Sequence, residues 1–122
     1  METKKFKEEL IQRSYIYSLK TIELANTLDK KDFVIQILLK QLVRSATSVS
    51  ANIIEAQAAS SKNDFINFLN HGLKSANETI FWLNLVRDSQ KLKGNTQLSF
   101  LSNESEALAK ILGKSITTLK AK

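Results

Sequence analysis

Between residues 35 and 56 the chain repeats apolar side chains at alternating spacings of four and three positions. This seven-residue repeat places the apolar side chains on one stripe of a helix, and such a stripe packs against neighbouring helices. The members of the stripe are Ile35, Leu39, Leu42, Ala46, Val49, Ile53 and Ala56. A long helix with one continuous apolar stripe needs other helices around it, so the stretch predicts a helical bundle.

The rest of the chain also favours helices. It contains no proline and only three glycines among 122 residues, which is typical of long helices joined by few turns. Polar breaks separate four predicted helices: residues 4–28, 32–58, 61–92, and from the break at 93–96 to about 119. Because the breaks are short, consecutive helices run antiparallel. We therefore predict an all-α fold, an up-and-down antiparallel four-helix bundle, as a single domain spanning residues 1–122.

The breaks contain residues that commonly begin and end helices. Gly94 is the predicted C-terminal cap of the third helix, and Gly72, inside that helix, predicts a close helix crossing. The predicted N-caps are Asp32 for the second helix, Ser60 or Ser61 for the third, and Asn95 or Thr96 for the fourth.

The apolar surface is wider than a monomeric bundle needs. Tyr15 and Ile22 are predicted to widen the stripe of the first helix, and Phe81 and Leu85 extend that of the third. Residues 34–60 contain only Lys40, Arg44 and Glu55 as charged residues. Such a charge-poor helix is predicted to be buried on more than one face, which indicates self-association, because obligate interfaces are apolar.

Charge and composition restrict the class of protein. The net charge of +6 permits binding to nucleic acid or another polyanion, although solubility alone could explain it. The chain has no cysteine, which excludes disulfides and thiolate metal sites. No run approaches the roughly 18 apolar residues that span a bilayer, and the N-terminus does not resemble a signal peptide. We expect a cytoplasmic protein without a membrane partner.

Few residues could support catalysis. His71 is the one histidine, and no serine is placed to form an obvious nucleophile–base pair with it. Asp64, His71 and Glu78 share a helix side but span about 20 Å, so they cannot bind one metal ion. The three glycines are isolated and form no phosphate-binding loop. We expect a protein that is not an enzyme, with no catalytic, cofactor-binding or metal-binding residues and no cofactor.

A polar stripe flanks the apolar stripe of the second helix, and two polar residues follow on the third. Small hydroxyls, an amide and carboxylates in such a row suit a close contact between helices. The alternative for Glu55 and Glu78 is acid–base chemistry, but a buried carboxylate paired with Arg44 or with hydrogen-bond donors explains them better. We expect Asn52, Ser75 and both glutamates to be buried and hydrogen-bonded within or between chains. The predicted structural polar signature is Gln41, Ser45, Ser48, Asn52, Glu55, Ser75 and Glu78.

Several basic residues are candidates for contacts with phosphate groups, with solvated surface as the ordinary alternative for each. The candidates are Lys40, Arg44, Lys62, Lys74 and Arg87. Phe81 and Trp82 could stack on unpaired bases, but aromatic residues at helical spacing more often belong to a core or an interface.

The stretch from residue 41 to 83 resembles the four-helix bundle proteins encoded in 23S rRNA intervening sequences, a family that includes the accessory variability protein of diversity-generating retroelements. Ser50 and Ala56 depart from the proline and glycine of the family pattern, so the second helix is expected to lack a proline kink. The matching residues are Gln41, Leu42, Arg44, Ser45, Ser48, Val49, Ala51, Asn52, Ile53, Glu55, Phe65, Phe68, Leu69, Ser75 and Glu78.

The resemblance implies an up-and-down bundle that assembles as a ring-like homopentamer with a basic surface. Retroelement members bind nucleic acid and a reverse transcriptase, whereas the intervening-sequence members have no established activity and supply no catalytic residues. Two hypotheses follow. The first is a non-enzymatic, homo-oligomeric protein that binds RNA or DNA through phosphate contacts. The second is a scaffold that binds another protein through apolar helix faces. A continuous basic face favours the first, and scattered charge favours the second.

Overall fold

The protein is a bundle of four antiparallel α-helices. The computed structural model describes residues 4–122, in which no strand occurs. Each helix packs against its neighbours in the chain, and the first also packs against the last. The predicted all-α, up-and-down bundle is therefore confirmed. The helices are α1 (Lys4–Thr27), α2 (Phe33–Ala56), α3 (Lys62–Ser89) and α4 (Thr96–Lys120).

The apolar stripe of α2 lies at the centre of the core, as its spacing predicts. All seven of its side chains are buried, none with more than 4% of its surface exposed. Complete burial of a leucine or isoleucine side chain contributes about 1.5–3 kcal/mol. The stripe is therefore a principal source of stability, and α2 runs without interruption from residue 33 to residue 56.

Three side chains cap the helices at the predicted positions. The Asp32 carboxylate accepts a hydrogen bond from the amide of Val34 at the start of α2. Ser61 caps α3 and Asn95 caps α4 in the same way. Each cap satisfies an amide that has no partner within the helix and contributes about 1 kcal/mol.

The end of α3 differs from its prediction. The helix ends at Ser89, and Lys91, not Gly94, takes the left-handed conformation that follows the cap, with φ of 54°. The amide of Leu92 then bonds to the carbonyl of Arg87 at 2.8 Å, and the Leu92 side chain packs on the core. This apolar contact fixes the end of the helix, whereas Gly94, with φ of 91°, lies in the following turn.

Gly72 lies where α3 approaches two other helices, as predicted. A Cβ atom at this position would be 3.4 Å from Leu112 Cδ1 in α4 and 3.7 Å from Asn52 Cβ in α2. At Gly113 the same atom would meet nothing within 4 Å. A methyl group at residue 72 would therefore be in ordinary contact with both helices, and the space there would not hold a side chain much larger than methyl.

Tyr15 and Ile22 do not widen the core, contrary to the prediction. Both are exposed, because they border a groove between α1 and α2 that no helix of this chain covers.

In residues 4–122 no helix is long and apolar enough to span a membrane.

Hydroxyl groups from all four helices meet in the middle of the core. The hydroxyl of Tyr17, a residue with 0% exposure, lies 2.5 Å from Ser105 Oγ and within hydrogen-bonding reach of Thr79. Thr79 Oγ1 in turn donates to Ser45 Oγ at 2.9 Å. These contacts join α1, α3, α4 and α2 through buried polar groups.

The network ends on backbone carbonyls, so its hydrogens have acceptors. Ser45 Oγ donates to the carbonyl of Leu42 at 3.2 Å, and Ser105 Oγ donates to that of Leu101 at 2.7 Å. A buried network satisfied in this way stabilises one arrangement of the helices, because a shift in register would leave hydroxyls unpaired.

We predict that Thr79→Val destabilises the protein by about 1–3 kcal/mol, because valine keeps the shape and leaves Ser45 without its donor. Thr79 Oγ1 also lies 2.7 Å from the carbonyl oxygen of Ser75, one turn earlier in α3. Thr117→Val is the matched control, since exposed Thr117 makes the corresponding contact with the carbonyl of Gly113 at 3.0 Å. The free energy of unfolding in urea measures both. Equal stabilities of the two variants would show that the buried network contributes nothing.

The second prediction concerns stability at high pH. Burial raises the pKa of Tyr17, partly opposed by its hydrogen bonds to Ser105 and Thr79. Below about pH 10 both folded and unfolded chains keep this proton. Above that pH the unfolded chain loses it first, so stability falls as pH rises, by up to about 1.4 kcal/mol per pH unit.

Unfolding free energies measured between neutral pH and about pH 11 test this expectation. Above about pH 10, the unfolding free energy of Tyr17→Phe should fall less steeply with pH than that of the wild-type protein. Tyr15→Phe changes an exposed position, and its unfolding free energy should fall as steeply as that of the wild-type protein. If the two variants show the same pH dependence, Tyr17 is not the group responsible.

Candidate functional site

The predicted polar signature lies along the contact between α2 and α3. Ser75 Oγ donates to Ser48 Oγ at 2.9 Å, and Asn52 Nδ2 donates to both the carbonyl and the hydroxyl of Ser48, at 2.8 and 3.1 Å. All three residues are half-buried. Ser48, Asn52 and Ser75 lie nearer the surface than Ser45 of the core network. The row of polar side chains between α2 and α3 therefore extends from the core outward.

Glu78 is held by two donors at the outer edge of this contact. Its Oε2 atom accepts a hydrogen bond from the guanidinium of Arg44 and one from Trp82 Nε1 at 2.9 Å. Arg44 Nε donates to Gln41 Oε1 at 2.9 Å. The carboxylate therefore fixes an arginine of α2 and the indole of α3, which is a structural role.

Glu55 does not share this environment. It is exposed, and within residues 4–122 it has no hydrogen-bond or ion-pair partner. The expectation that Glu55 is buried within or between chains stays a prediction, since the single chain leaves its side chain exposed.

The described residues assemble no recognisable catalytic or metal centre. His71 is exposed and has no hydrogen-bond partner in the described part of the chain. Asp64 accepts hydrogen bonds from Ser60 and supports the start of α3. Residues 4–122 contain no group of three or more histidine, aspartate and glutamate side chains that could bind a metal ion.

The predicted phosphate-binding residues do not form one patch. Arg87 pairs with Asp88 at 2.8 and 3.1 Å, and this hydrogen bonding lowers the pKa of the Asp88 carboxyl. Lys40 and Lys74 are exposed, with no partner among residues 4–122. Lys62 and Arg87 are near opposite ends of α3, about 37 Å apart along its axis. The five candidates, Arg44 included, are therefore scattered over α2 and α3.

A more concentrated basic surface lies at the end of α4. Residues 107–122 contain four lysines and no acidic residue. Lys62 Nζ at the start of α3 lies 3.2 Å from the carbonyl oxygen of Lys122, so a fifth lysine joins them. We call this surface the basic end, and its members are Lys62, Lys110, Lys114, Lys120 and Lys122.

Sequence reasoning missed most of the basic end. A charge count over the whole of residues 94–122 includes Glu104 and Glu106. Such a count does not reveal that the residues after Glu106 contain no acidic side chain. Lys110, Lys114 and Lys120 are exposed, and none lies within 4.0 Å of a carboxylate in the described residues. The signal in the sequence is the 16-residue run, 107–122, that contains no acidic residue.

An apolar groove of about 340 Å³ separates α1 from α2. No charged residue lines it, and small side chains including Ser18 and Ala51 form its floor. The buried Ser18 hydroxyl has no hydrogen-bond partner in residues 4–122. Four large side chains stand exposed along the groove: Tyr15, Leu19, Ile22 and Ile54.

Further large apolar side chains are exposed on α2 and α3. Phe81 is 53% exposed and packs edge-to-face on half-buried Trp82, with the ring centroids 4.9 Å apart. Ile37 of α2 and Leu85 of α3 are also exposed. We call Ile37, Phe81 and Leu85 the α2–α3 ridge. The wide apolar surface predicted for these helices is therefore present and uncovered in the single chain.

Comparison with known proteins agrees with the resemblance in the sequence. The family model described as 23S rRNA-intervening sequence protein matches residues 7–114. A crystal structure from Bacteroides thetaiotaomicron VPI-5482, described as a protein of unknown function from the S23 ribosomal protein family, is 37% identical. The match covers 88% of this chain and 97% of that chain, with a TM-score of 0.78. No curated protein matches. With most of its length matched by the family model and the same fold in a relative of this identity, the chain belongs to the family of 23S rRNA-intervening sequence proteins.

Proposed function

We propose that this protein is a non-enzymatic homo-oligomer that binds nucleic acid through contacts between its basic end and phosphate groups. The observation that carries the proposal is the set of exposed lysines at the end of α4 that lack acidic partners. Lys4, Lys5 and Lys31, by contrast, each lie 3.9–4.0 Å from a carboxylate oxygen. Three of the lysines in the basic end, Lys110, Lys114 and Lys120, therefore have free positive charge on one helix, whereas Lys4, Lys5 and Lys31 are partly neutralised.

Stabilisation of the helix end does not account for this surface. A lysine in the last turn of a helix interacts favourably with the helix dipole, and Lys120 is in that position. Lys110 and Lys114 are further from the end, where the dipole effect has fallen off. They lie one turn apart on the same side of α4, separated by about 6 Å along the axis. Binding of a polyanion gives both lysines a role.

The chemistry of the basic end favours phosphate contacts over base recognition. Lysine is a compact point charge that suits phosphate oxygens. The exposed aromatic side chain of Phe81 is on α3, apart from the α4 lysines. Binding should therefore depend little on sequence and fall steeply with salt concentration.

Self-association strengthens this weak attraction. The groove and the α2–α3 ridge provide apolar surface for contact between copies. The family resemblance leads us to favour a pentamer, in which five charges of +6 give +30. Several basic ends on one particle bind a long polyanion more tightly than a single one, because later contacts are intramolecular.

The relationship to known proteins is compatible with an RNA partner. The related structure carries the description of a ribosomal protein family, with its own function stated as unknown. Ribosomal RNA is a polyanion of the kind that the basic end would attract.

The second candidate function is a protein scaffold. It is favoured by the open groove between α1 and α2, which has no charged lining residue. An amphipathic helix of another protein could place its apolar face there. In that case the lysines serve solubility alone.

We predict that the variant Lys110→Gln/Lys114→Gln/Lys120→Gln binds unrelated RNA and DNA oligonucleotides more weakly than the wild-type protein. The slope of log affinity against log salt should fall in magnitude by about 0.7–0.9 for each phosphate that the variant no longer neutralises. Fluorescence anisotropy at several salt concentrations measures both quantities, with the oligomer verified by light scattering.

The matched control is Lys4→Gln/Lys5→Gln/Lys31→Gln. Both triple variants lower the net charge from +6 to +3, but the control removes lysines that already face carboxylates. It should keep most of the affinity. Equal reductions of affinity in the two variants would refute the basic end as a specific surface. If a verified wild-type oligomer fails to bind at low salt, the scaffold becomes the better account.

A further inference from the structure

We infer that a row of asparagines on α3 continues the basic end and hydrogen-bonds the ribose hydroxyls of an RNA strand, so that the protein binds RNA more tightly than DNA of the same sequence. This inference rests on the nucleic-acid binding of the proposed function and names the class of nucleic acid that the protein prefers. We call these residues the asparagine row, and its members are Asn63, Asn70, Asn77 and Asn84.

The asparagine row lies on the side of α3 that is turned away from α2. Its members recur every seven residues, which places them on one line along the helix. Ser75 of α3 bonds to Ser48 of α2, and Asn77 is separated from Ser75 by about 200° of helix rotation. Since α3 packs against α2 and α4, the row borders α4.

The side-chain amides of the row are not used within the chain. Three of its members are exposed and Asn70 is half-buried. In residues 4–122 none of the four side chains has a hydrogen-bond or ion-pair partner. Asn52 of α2 differs, because its amide donates to the carbonyl and the hydroxyl of Ser48. Each amide of the row therefore offers two donors and an acceptor to a ligand.

Helix stability does not explain the choice of asparagine. Asparagine is among the weaker helix formers, because its side chain competes for backbone hydrogen bonds. Asn77 and Asn84 are exposed positions inside α3, where lysine, glutamate or glutamine would favour the helix more and keep it soluble. Residues that break such a local rule without a gain in stability are expected at functional sites.

The crossing of α3 and α4 brings lysines of the basic end beside the first half of the row. A Cβ atom at Gly72 would lie 3.4 Å from Leu112 Cδ1, so residue 72 of α3 is level with residue 112 of α4. Because the two helices are antiparallel, Lys114 is level with Asn70, and Lys120 is level with the first turn of α3. A strand that lies along the row therefore meets lysines at its phosphates.

The second half of the row suits ribose better than phosphate. By the same alignment, Glu106 of α4 is level with residue 78, next to Asn77. Glu106 is exposed and has no partner among residues 4–122. A carboxylate repels phosphate but accepts a hydrogen bond from a hydroxyl. The 2′-hydroxyl of RNA both donates and accepts, so Glu106 and Asn77 together match it.

Lysine alone does not distinguish RNA from DNA. Its ammonium group only donates hydrogen bonds, and it suits the phosphates that both polymers share. An amide donates and accepts, which matches the hydroxyl that only RNA carries. The row is about 32 Å long at about 1.5 Å per residue, and a strand with about 3.4 Å per nucleotide places about nine nucleotides along it.

Two variants that keep the net charge test the inference. Asn77→Ala/Asn84→Ala removes two exposed amides of the row, and Gln12→Ala/Asn26→Ala, the matched control, removes two exposed amides of α1. Alanine is the best helix former, so both variants should fold, which circular dichroism checks. The probes are a single-stranded RNA long enough to span the row and the DNA of the same sequence, titrated by fluorescence anisotropy at several salt concentrations.

The wild-type protein should bind the RNA at least about tenfold more tightly than the DNA, because each hydrogen bond contributes about fivefold to affinity. Asn77→Ala/Asn84→Ala should lose most of this preference and keep the salt dependence, since no charge is removed. The α1 variant should keep both. Equal wild-type affinities for RNA and DNA, or equal losses in the two variants, would overturn the inference. A changed particle size of the row variant in light scattering would also overturn it, because the row would then be a contact between copies.

An RNA oligonucleotide methylated at its 2′-hydroxyls provides a second test that needs no variant. It keeps the phosphates and loses the hydroxyl donor, so the wild-type protein should bind it about as weakly as DNA. Equal affinities for methylated and unmodified RNA would overturn the ribose contacts and leave the phosphate contacts of the proposed function in place. If the wild-type protein binds neither RNA nor DNA at low salt, the proposed function fails, and the preference for RNA fails with it.

Discussion

The close contact between α2 and α3 is the constraint on which the rest of the bundle depends. A Cβ atom at Gly72 would already touch Asn52 of α2, and the small hydroxyls of Ser48 and Ser75 bond directly at 2.9 Å. A larger side chain in this row would separate the two helices and break the bond. Since Ser45 and Thr79 continue the same row into the core, the α2–α3 spacing also positions the network that reaches α1 and α4. Packing and hydrogen bonding therefore support one register.

Much of this fold follows from local signals in the sequence. The seven-residue repeat of α2 and the capping residues Asp32, Ser61 and Asn95 depend on neighbours within a few positions, and the structure confirms them. Features that depend on distant parts of the chain do not show in such local patterns. Helical periodicity places Tyr15 beside the apolar stripe of α1, but it does not determine whether another helix covers that side of α1. The contact between Lys62 Nζ and the carbonyl oxygen of Lys122 forms only because α3 packs beside α4.

The candidate surfaces are distributed so that assembly and ligand binding do not compete. Apolar exposed residues border α2 on both sides, whereas the run of residues 107–122 places four lysines and no acidic residue at the end of α4. In a bundle of four helices these two elements are diagonal neighbours and make no direct contact. Burial of the apolar surfaces between copies would therefore leave the lysines of α4 in solvent.

The ion pair of Arg44 with Glu78 also fixes an aromatic side chain on the surface of α3. In each copy Glu78 accepts a hydrogen bond from Arg44, and Gln41 accepts a second. The two charges of the pair therefore cancel at the outer edge of the contact between α2 and α3. Glu78 also bonds to Trp82, which packs against Phe81 of the ridge. The same carboxylate therefore neutralises an arginine of α2 and orients the indole on which the exposed Phe81 ring packs.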